Sequence, residues 1–145
     1  MTWIYEDKQF EPDDDLLKDH IGFVYIIEEL NTNMKYIGKK LFWKSAFRTK
    51  NKKRKRVKLE SDWKTYYGSN KILKEKVVDN ENNYKRTILR LCKTKGECSY
   101  YEAKYQFDYD VLLRDDFYNG LIMCRINSKH LGKGNDGISL DGDSK

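Results

Sequence analysis

The stretch Gly22-Phe23-Val24-Tyr25-Ile26-Ile27-Glu28-Glu29-Leu30-Asn31-Thr32-Asn33-Met34-Lys35-Tyr36-Ile37-Gly38 decides how this chain folds. Residues 22 to 27 are rich in β-branched and aromatic side chains, which suit a half-buried pleat, and Lys35-Tyr36-Ile37-Gly38 resumes that character after the turn-forming Asn31-Thr32-Asn33. A β-hairpin is the simplest reading. It sets Tyr25 and Tyr36 on neighbouring strands, where both hydroxyls can address one ligand if the register puts them on the same face.

Outward from the hairpin, charge is the next signal. Residues 31 to 59 hold 12 of the 29 Lys+Arg and none of the 23 Asp+Glu, so the net +6 is one basic patch on an otherwise acidic body. Such a local field suits a polyanionic partner at one face, DNA or RNA above all. Its densest part is Lys50-Asn51-Lys52-Lys53-Arg54-Lys55-Arg56, which cannot be packed and reads as a mobile loop or hairpin tip. With Leu41, Phe42, Trp43 and Phe47 beside it, an arm laid along phosphates is favoured over a merely solvated surface. Lys40, Lys44, Lys50, Lys52, Lys53, Arg54, Lys55 and Arg56, with Trp63, are the candidate nucleic-acid contacts.

Length and composition bound the rest. At 145 residues the chain is one domain, and an aromatic share of 14%, much of it in 11 tyrosines, argues against disorder despite 36% charged residues. Cys92, Cys98 and Cys124 form no C-x-x-C pair, so reduced thiols in a cytosolic protein fit better than disulfides or a zinc site with His20 or His130. No apolar run suits a membrane span and the N-terminus lacks a signal-peptide pattern.

In chain order, residues 1–20 read as an extension, a short strand or hairpin from Trp3 to Phe10 packed on the sheet edge. Asp13-Asp14-Asp15 then forms a connector or a helix N-terminus. After the aromatic cluster Trp63, Tyr66, Tyr67 and Gly68, Ser69 or Asn70 can cap a helix through Ile72, Leu73 and Val77. Residues 80–83 break it, and Tyr84 to Cys92 is the third strand. A second helix from about Glu97 to Asp108 puts Cys98, Tyr101, Glu102 and Tyr105 on one face, which leaves the Glu102 carboxylate on a core-directed surface. Asn119-Gly120 reads as a turn, residues 21–127 as the main domain and 128–145 as a flexible tail.

The chain order carries a resemblance. A Tyr25-bearing G-F-V-Y strand, a turn, Tyr36-Ile37-Gly38-Lys39, a basic arginine-bearing segment, a helix, a third strand, then a helix with one glutamate and a late asparagine together resemble the GIY-YIG nucleases, over residues 22 to 120. Tyr36 to Phe42, Glu60 to Lys64, Tyr67-Gly68-Ser69, Gly96-Glu97-Cys98 and Glu102-Ala103-Lys104 look most like the phage Seg group, SegE-like endonucleases. The resemblance implies an α/β protein of the α+β type, with a small three-stranded antiparallel sheet flanked by helices.

It also implies a Mg²⁺-dependent endonuclease acting on double-stranded DNA, with one Mg²⁺ (or Mn²⁺) per site, in the cytoplasm of an infected bacterial host. By the same likeness, Tyr36 acts as general base or orients the attacking water, Tyr25 bonds near the scissile phosphate, Glu102 is the metal ligand and Asn119 closes the site. Tyr67 or Tyr66 matches a further family position. A phenol with pKa near ~10 is a poor base at neutral pH, and Lys39 and Lys40 beside Tyr36 are the groups expected to make it usable. Where the family carries an arginine, this chain has Ala46-Phe47. Arg48 is nearest, with Arg54 and Arg56 as alternatives if the basic segment folds back. The expectation is of no separate C-terminal recognition region, and with it of modest sequence specificity or assembly as a homo-oligomer. The competing function is a catalytically inactive nucleic-acid-binding module on the same fold.

Overall fold

The computed structural model describes residues 2–131. Its elements are β1 (Trp3–Tyr5), β2 (Lys8–Gln9), α1 (Asp14–Asp19), β3 (Gly22–Glu29), β4 (Lys35–Leu41), β5 (Trp43–Lys50), β6 (Lys53–Glu60), α2 (Lys71–Asp79), β7 (Tyr84–Cys92) and α3 (Lys95–Asp108). Among the described residues no helix is long and apolar enough to cross a membrane. Most of the expected flexible tail, residues 132–145, lies outside the described part, while Ser128–His130 form a 3-10 turn.

The mixed α+β architecture is the one expected, but the sheet is larger. It has five strands in the order β2-β1-β7-β3-β4, not three. The trio β7-β3-β4 at one end of the sheet is antiparallel, as anticipated; the N-terminal hairpin widens it because β1 pairs with β7 in parallel, Ile4 opposite Thr87. The Asp-rich connector becomes α1, with the Asp13 side chain accepting from the Leu16 N–H at 2.8 Å as its N-cap.

Being central, β3 is buried on both faces, which explains its nearly continuous apolar run. Phe23, Tyr25 and Ile27 point to one face and pack with Trp3, Phe42, Trp63, Leu73 and Val77. Val24 and Ile26 point to the other and meet Ile37, Cys98, Tyr101 and Phe117. Asn70 caps α2 by accepting from the Leu73 N–H at 3.0 Å, and Thr94 caps α3 by accepting from Glu97.

The β3–β4 turn is held by a buried carboxylate. Glu29, 3% exposed, accepts from Thr32 Oγ1 (2.5 Å), Tyr84 Oη (2.9 Å) and Tyr118 Oη (3.1 Å). Burial by itself raises its pKa, but these three hydroxyls and the Lys76 ammonium outweigh that and hold it below the usual carboxylate range.

The basic segment is neither core nor loop. It forms a separate two-stranded ribbon, β5–β6, paired from Trp43–Glu60 to Lys50–Lys53. Asn51 and Lys52 at its tip have φ of 53° and 61°, the left-handed pair that a two-residue type I′ turn requires.

The Asn119-Gly120 stretch is not a turn either. Residues 116–119 run along β4, the outer strand, and cover its free edge. Lys35 donates its N–H to Asp116 O and accepts from Tyr118 N. The Asn119 side chain then spans Ile37, accepting from its N–H at 3.0 Å and donating to its carbonyl at 2.8 Å. Gln106 adds a second donor to that carbonyl at 3.0 Å.

Candidate active site

The register answers the question the hairpin posed. Tyr25 is opposite Gly38 and Ile27 opposite Tyr36, so Tyr25 and Tyr36 are diagonal neighbours on one face, ring centroids 6.3 Å apart. Beside Tyr25 the β3–β7 ladder shifts register, with Leu89 left over between the pairs Val24–Arg90 and Tyr25–Ile88. Bulges of this kind re-aim side chains next to functional sites.

Two glycines make the space. A Cβ on Gly38 would sit 2.5 Å from Tyr25 Oη and 3.0 Å from Tyr36 Cε1, so any side chain there would displace both rings. Gly68, at φ +90°, lines the same space, its hypothetical Cβ 3.4 Å from Tyr25 Oη and from Tyr36. The glycine ending Tyr36-Ile37-Gly38 is therefore the room in which the two phenols meet.

Tyr66 completes the cradle. Its ring stands edge-on to Tyr25 at 6.1 Å, and the two hydroxyls hydrogen-bond. Ser69 Oγ lies 2.9 Å from Tyr36 Oη and also bonds Tyr66, so the hydroxyls of Tyr25, Tyr66, Ser69 and Tyr36 form one chain. Arg86, 3% exposed, holds this segment from behind by donating to the carbonyls of Lys64 (3.1 Å) and Tyr66 (2.8 Å). Tyr67, the neighbour singled out from sequence, points elsewhere. It donates to Glu81 at 2.8 Å, and burial with that bond pushes its pKa up to about 12. Adjacent residues of an extended segment face opposite ways, which is why only one of the two reaches the cradle.

Glu102 approaches from α3, on the other face of the sheet, beside the outermost strand β4, and is coupled to the tyrosines through its charge. Its carboxylate accepts the Lys39 backbone N–H, and its charge adds to burial, the main cause, in raising the pKa of both Tyr25 and Tyr36. Burial pushes the Glu102 pKa up, opposed by the Lys39 charge and that N–H. One carboxylate suits a Mg²⁺ or Mn²⁺, which keeps several waters and takes oxygens from a phosphate, and no cluster of three or more His, Cys, Asp or Glu exists among the described residues. The donor set present fits such an ion.

Several side chains are placed differently from expectation. Tyr36 is not activated by adjacent lysines: burial raises its pKa, and the opposing contribution comes from the Ser69 hydrogen bond. Strand alternation turns the Lys39 ammonium to the α3 side, where it donates to Ser99 Oγ at 2.6 Å. Lys40, on the tyrosine side, pairs with Asp62 at 2.7 Å and lies 4.1 Å above the Tyr66 ring. Arg48 pairs with Lys55 toward the outer part of the ribbon. Arg56, by contrast, lines a groove of about 550 Å³ with Lys39, Lys40, Lys44 and Lys95. Asn119 spends both ends of its amide on Ile37, which makes it a brace of the β4 edge. Trp63 is 2% exposed and packs 5.1 Å from Phe42, so it is core and not a nucleic-acid contact. Lys50, Lys52, Lys53, Arg54 and Lys55 are exposed on the ribbon as expected.

Tyr66 was an open alternative in the sequence, and Gly68 and Ser69 stood in the stretch Tyr67-Gly68-Ser69 that carries the resemblance, without a site role attached to either. No curated protein and no solved structure matches the chain. A family model does: the one described as "Putative endonuclease segE, GIY-YIG domain" matches residues 3–122. With that match spanning most of the chain, including the two-tyrosine hairpin and the Glu102 helix, the protein belongs to the GIY-YIG endonuclease family, in its SegE group.

Proposed function

We propose that the chain is a metal-dependent DNA endonuclease that hydrolyses phosphodiester bonds at the Tyr36–Glu102 cradle. A chain of hydroxyls lies on one face of the hairpin, and Glu102, half-buried and bonded to the Lys39 N–H of the same β4 strand, acts electrostatically on Tyr25 and Tyr36, beside a groove lined by Lys39, Lys40 and Lys44; this arrangement supports the reading. Glu102 would hold the Mg²⁺ or Mn²⁺ ion. When bound, the ion supplies positive charge to phosphate oxygens as negative charge builds up on them.

The protein's own groups do the rest. The cations of the groove bind the flanking phosphates and orient the strand. With its pKa raised, Tyr36 is a neutral phenol at neutral pH, suited to orienting a water by hydrogen bonding more than to standing as a phenolate. Ser69 fixes the Tyr36 hydroxyl, and Tyr25, buried behind it and bonded to Tyr66, holds the ring array in place.

Supercoiled plasmid incubated with wild type, Tyr36→Phe and Glu102→Ala, with and without Mg²⁺, tests this. Nicking by wild type alone and only with metal is the expected result. Absence of nicking by wild type, or equal nicking by all three, sinks the proposal. Binding that persists without metal and weakens steeply with salt would then identify a silent nucleic-acid-binding module.

A further inference from the structure

Pairing in the β5–β6 ribbon sorts its side chains in a way the linear sequence hides. Opposite residues share a face, so Ser45, Phe47, Thr49, Arg54, Arg56 and Lys58 lie on one side, and Lys44, Arg48, Lys50, Lys53 and Lys55 on the other. The run Lys53-Arg54-Lys55-Arg56 thus puts both of its arginines on one face and both of its lysines on the other.

The arginine face is organised. Phe47, 52% exposed, fills no core, yet the guanidinium of Arg54 lies 4.1 Å from its ring centroid and that of Arg56 5.7 Å. Stacking on a ring restrains a guanidinium while leaving its in-plane donors free. Two restrained planar forks, with Ser45 and Thr49 hydroxyls beside them, match what base edges require: bidentate donors for guanine O6 and N7, hydroxyls for any base, an apolar ring for a thymine methyl. The opposite, lysine face also carries Arg48, but four of its five cations are lysines, with long flexible stems ending in point charges that suit phosphates.

Shape agrees with chemistry. Strands of eight residues rise about 26 Å at ~3.3 Å per residue, and the two-residue turn at Asn51-Lys52 keeps the ribbon narrow to its tip. The major groove of B-DNA admits a two-stranded β-ribbon. At the ribbon's base, Trp43, Lys44, Ser45 and Arg56 share the groove with Lys39 and Lys40, so DNA seated on the ribbon continues toward the cradle.

We infer that β5–β6 is a sequence-reading ribbon that enters the major groove of duplex DNA with the Phe47–Arg54–Arg56 face toward the base edges, its lysine face reaching the flanking phosphates. The inference takes DNA as the substrate from the proposed function, but its test needs no cleavage.

Full-length Glu102→Ala protein in EDTA is used to select bound sequences from a random duplex pool. The same is done with Arg54→Lys/Arg56→Lys and with Lys53→Gln/Lys55→Gln added. The expected parent result is a preference containing guanines. Replacing the arginines by lysines keeps the charge and should erase that preference, lowering affinity for the selected site by roughly tenfold or more while affinity for random duplex changes little. The lysine variant should keep the preference, weaken binding to all sequences and reduce the salt slope by about two. Absence of any preference in the parent, its survival in the arginine variant, or equal displacement by single-stranded competitor overturns the inference. Failure of the nuclease reading is seen separately, in the plasmid assay, and matching circular dichroism melts of the variants exclude unfolding.

Discussion

The tyrosine cradle and the basic ribbon are separated by only a few residues of β4, yet they are built on opposite terms. In the cradle, polar groups are buried or half-buried and held by neighbours: Tyr25 is 1% exposed, and Tyr25, Tyr36 and Glu102 all have pKa values raised chiefly by burial. On the ribbon nearly every side chain is exposed, and order comes from backbone pairing with a single ring to restrain two guanidiniums. Geometry set by packing suits chemistry, where small displacements are costly; charge carried on an exposed strand pair suits capture of a polyanion.

The sharpest way to break this contrast is Glu102→Ala. Rate should fall by roughly a thousandfold, since several kcal/mol of charge stabilisation is expected from the ion it is proposed to hold, while duplex binding in EDTA stays unchanged; parallel losses in nicking and gel-shift assays would mean the regions are not separable. Tyr36→Phe keeps the ring and removes the hydroxyl, and should cost roughly a hundredfold in rate at unchanged affinity.

Packing comes next. Gly38→Ala forces a methyl against Tyr25 Oη and should destabilise the fold by about 2 kcal/mol in urea titrations. Phe47→Ala should cost less than about 0.5 kcal/mol, because the ring is not core.

Protonation divides the regions more gently. Glu102 must be ionised to hold a cation, and its raised pKa moves the acid limb of activity above the usual carboxylate range. Glu29 has the opposite sign: its pKa is lowered on folding, so the stability it contributes is present above the unfolded carboxylate pKa and lost as pH falls through the folded value. Glu29→Gln should flatten the acid side of a stability–pH curve.

Much of this was legible locally. The hairpin tyrosines, the Tyr84–Cys92 strand, the Asn70 cap and the core-directed face carrying Glu102 follow from β propensity, capping chemistry and helical spacing. Non-local pairing was not legible: nothing in Trp3-Ile4-Tyr5 says that it runs parallel to a strand some 80 residues later. Like-charge density left the basic run open between a mobile loop and a hairpin tip; it is the hairpin tip, turning at Asn51-Lys52, and its order rests on backbone bonds that composition does not report. The choice between Tyr66 and Tyr67, the burial of Trp63 and the bracing part played by Asn119 each depend on direction in space, and residue type does not encode direction.

The parallel pairing of β1 with β7 has a temporal side. β3 with β4, and β5 with β6, can zip as soon as each has left the ribosome, being separated by short turns. Trp3, 1% exposed and packed on both Phe23 and Tyr25, cannot reach its place beside Arg86 until most of the chain has been synthesised. The tyrosine face therefore stays open on one side until late, and closure across so long a loop is the natural slow step of folding.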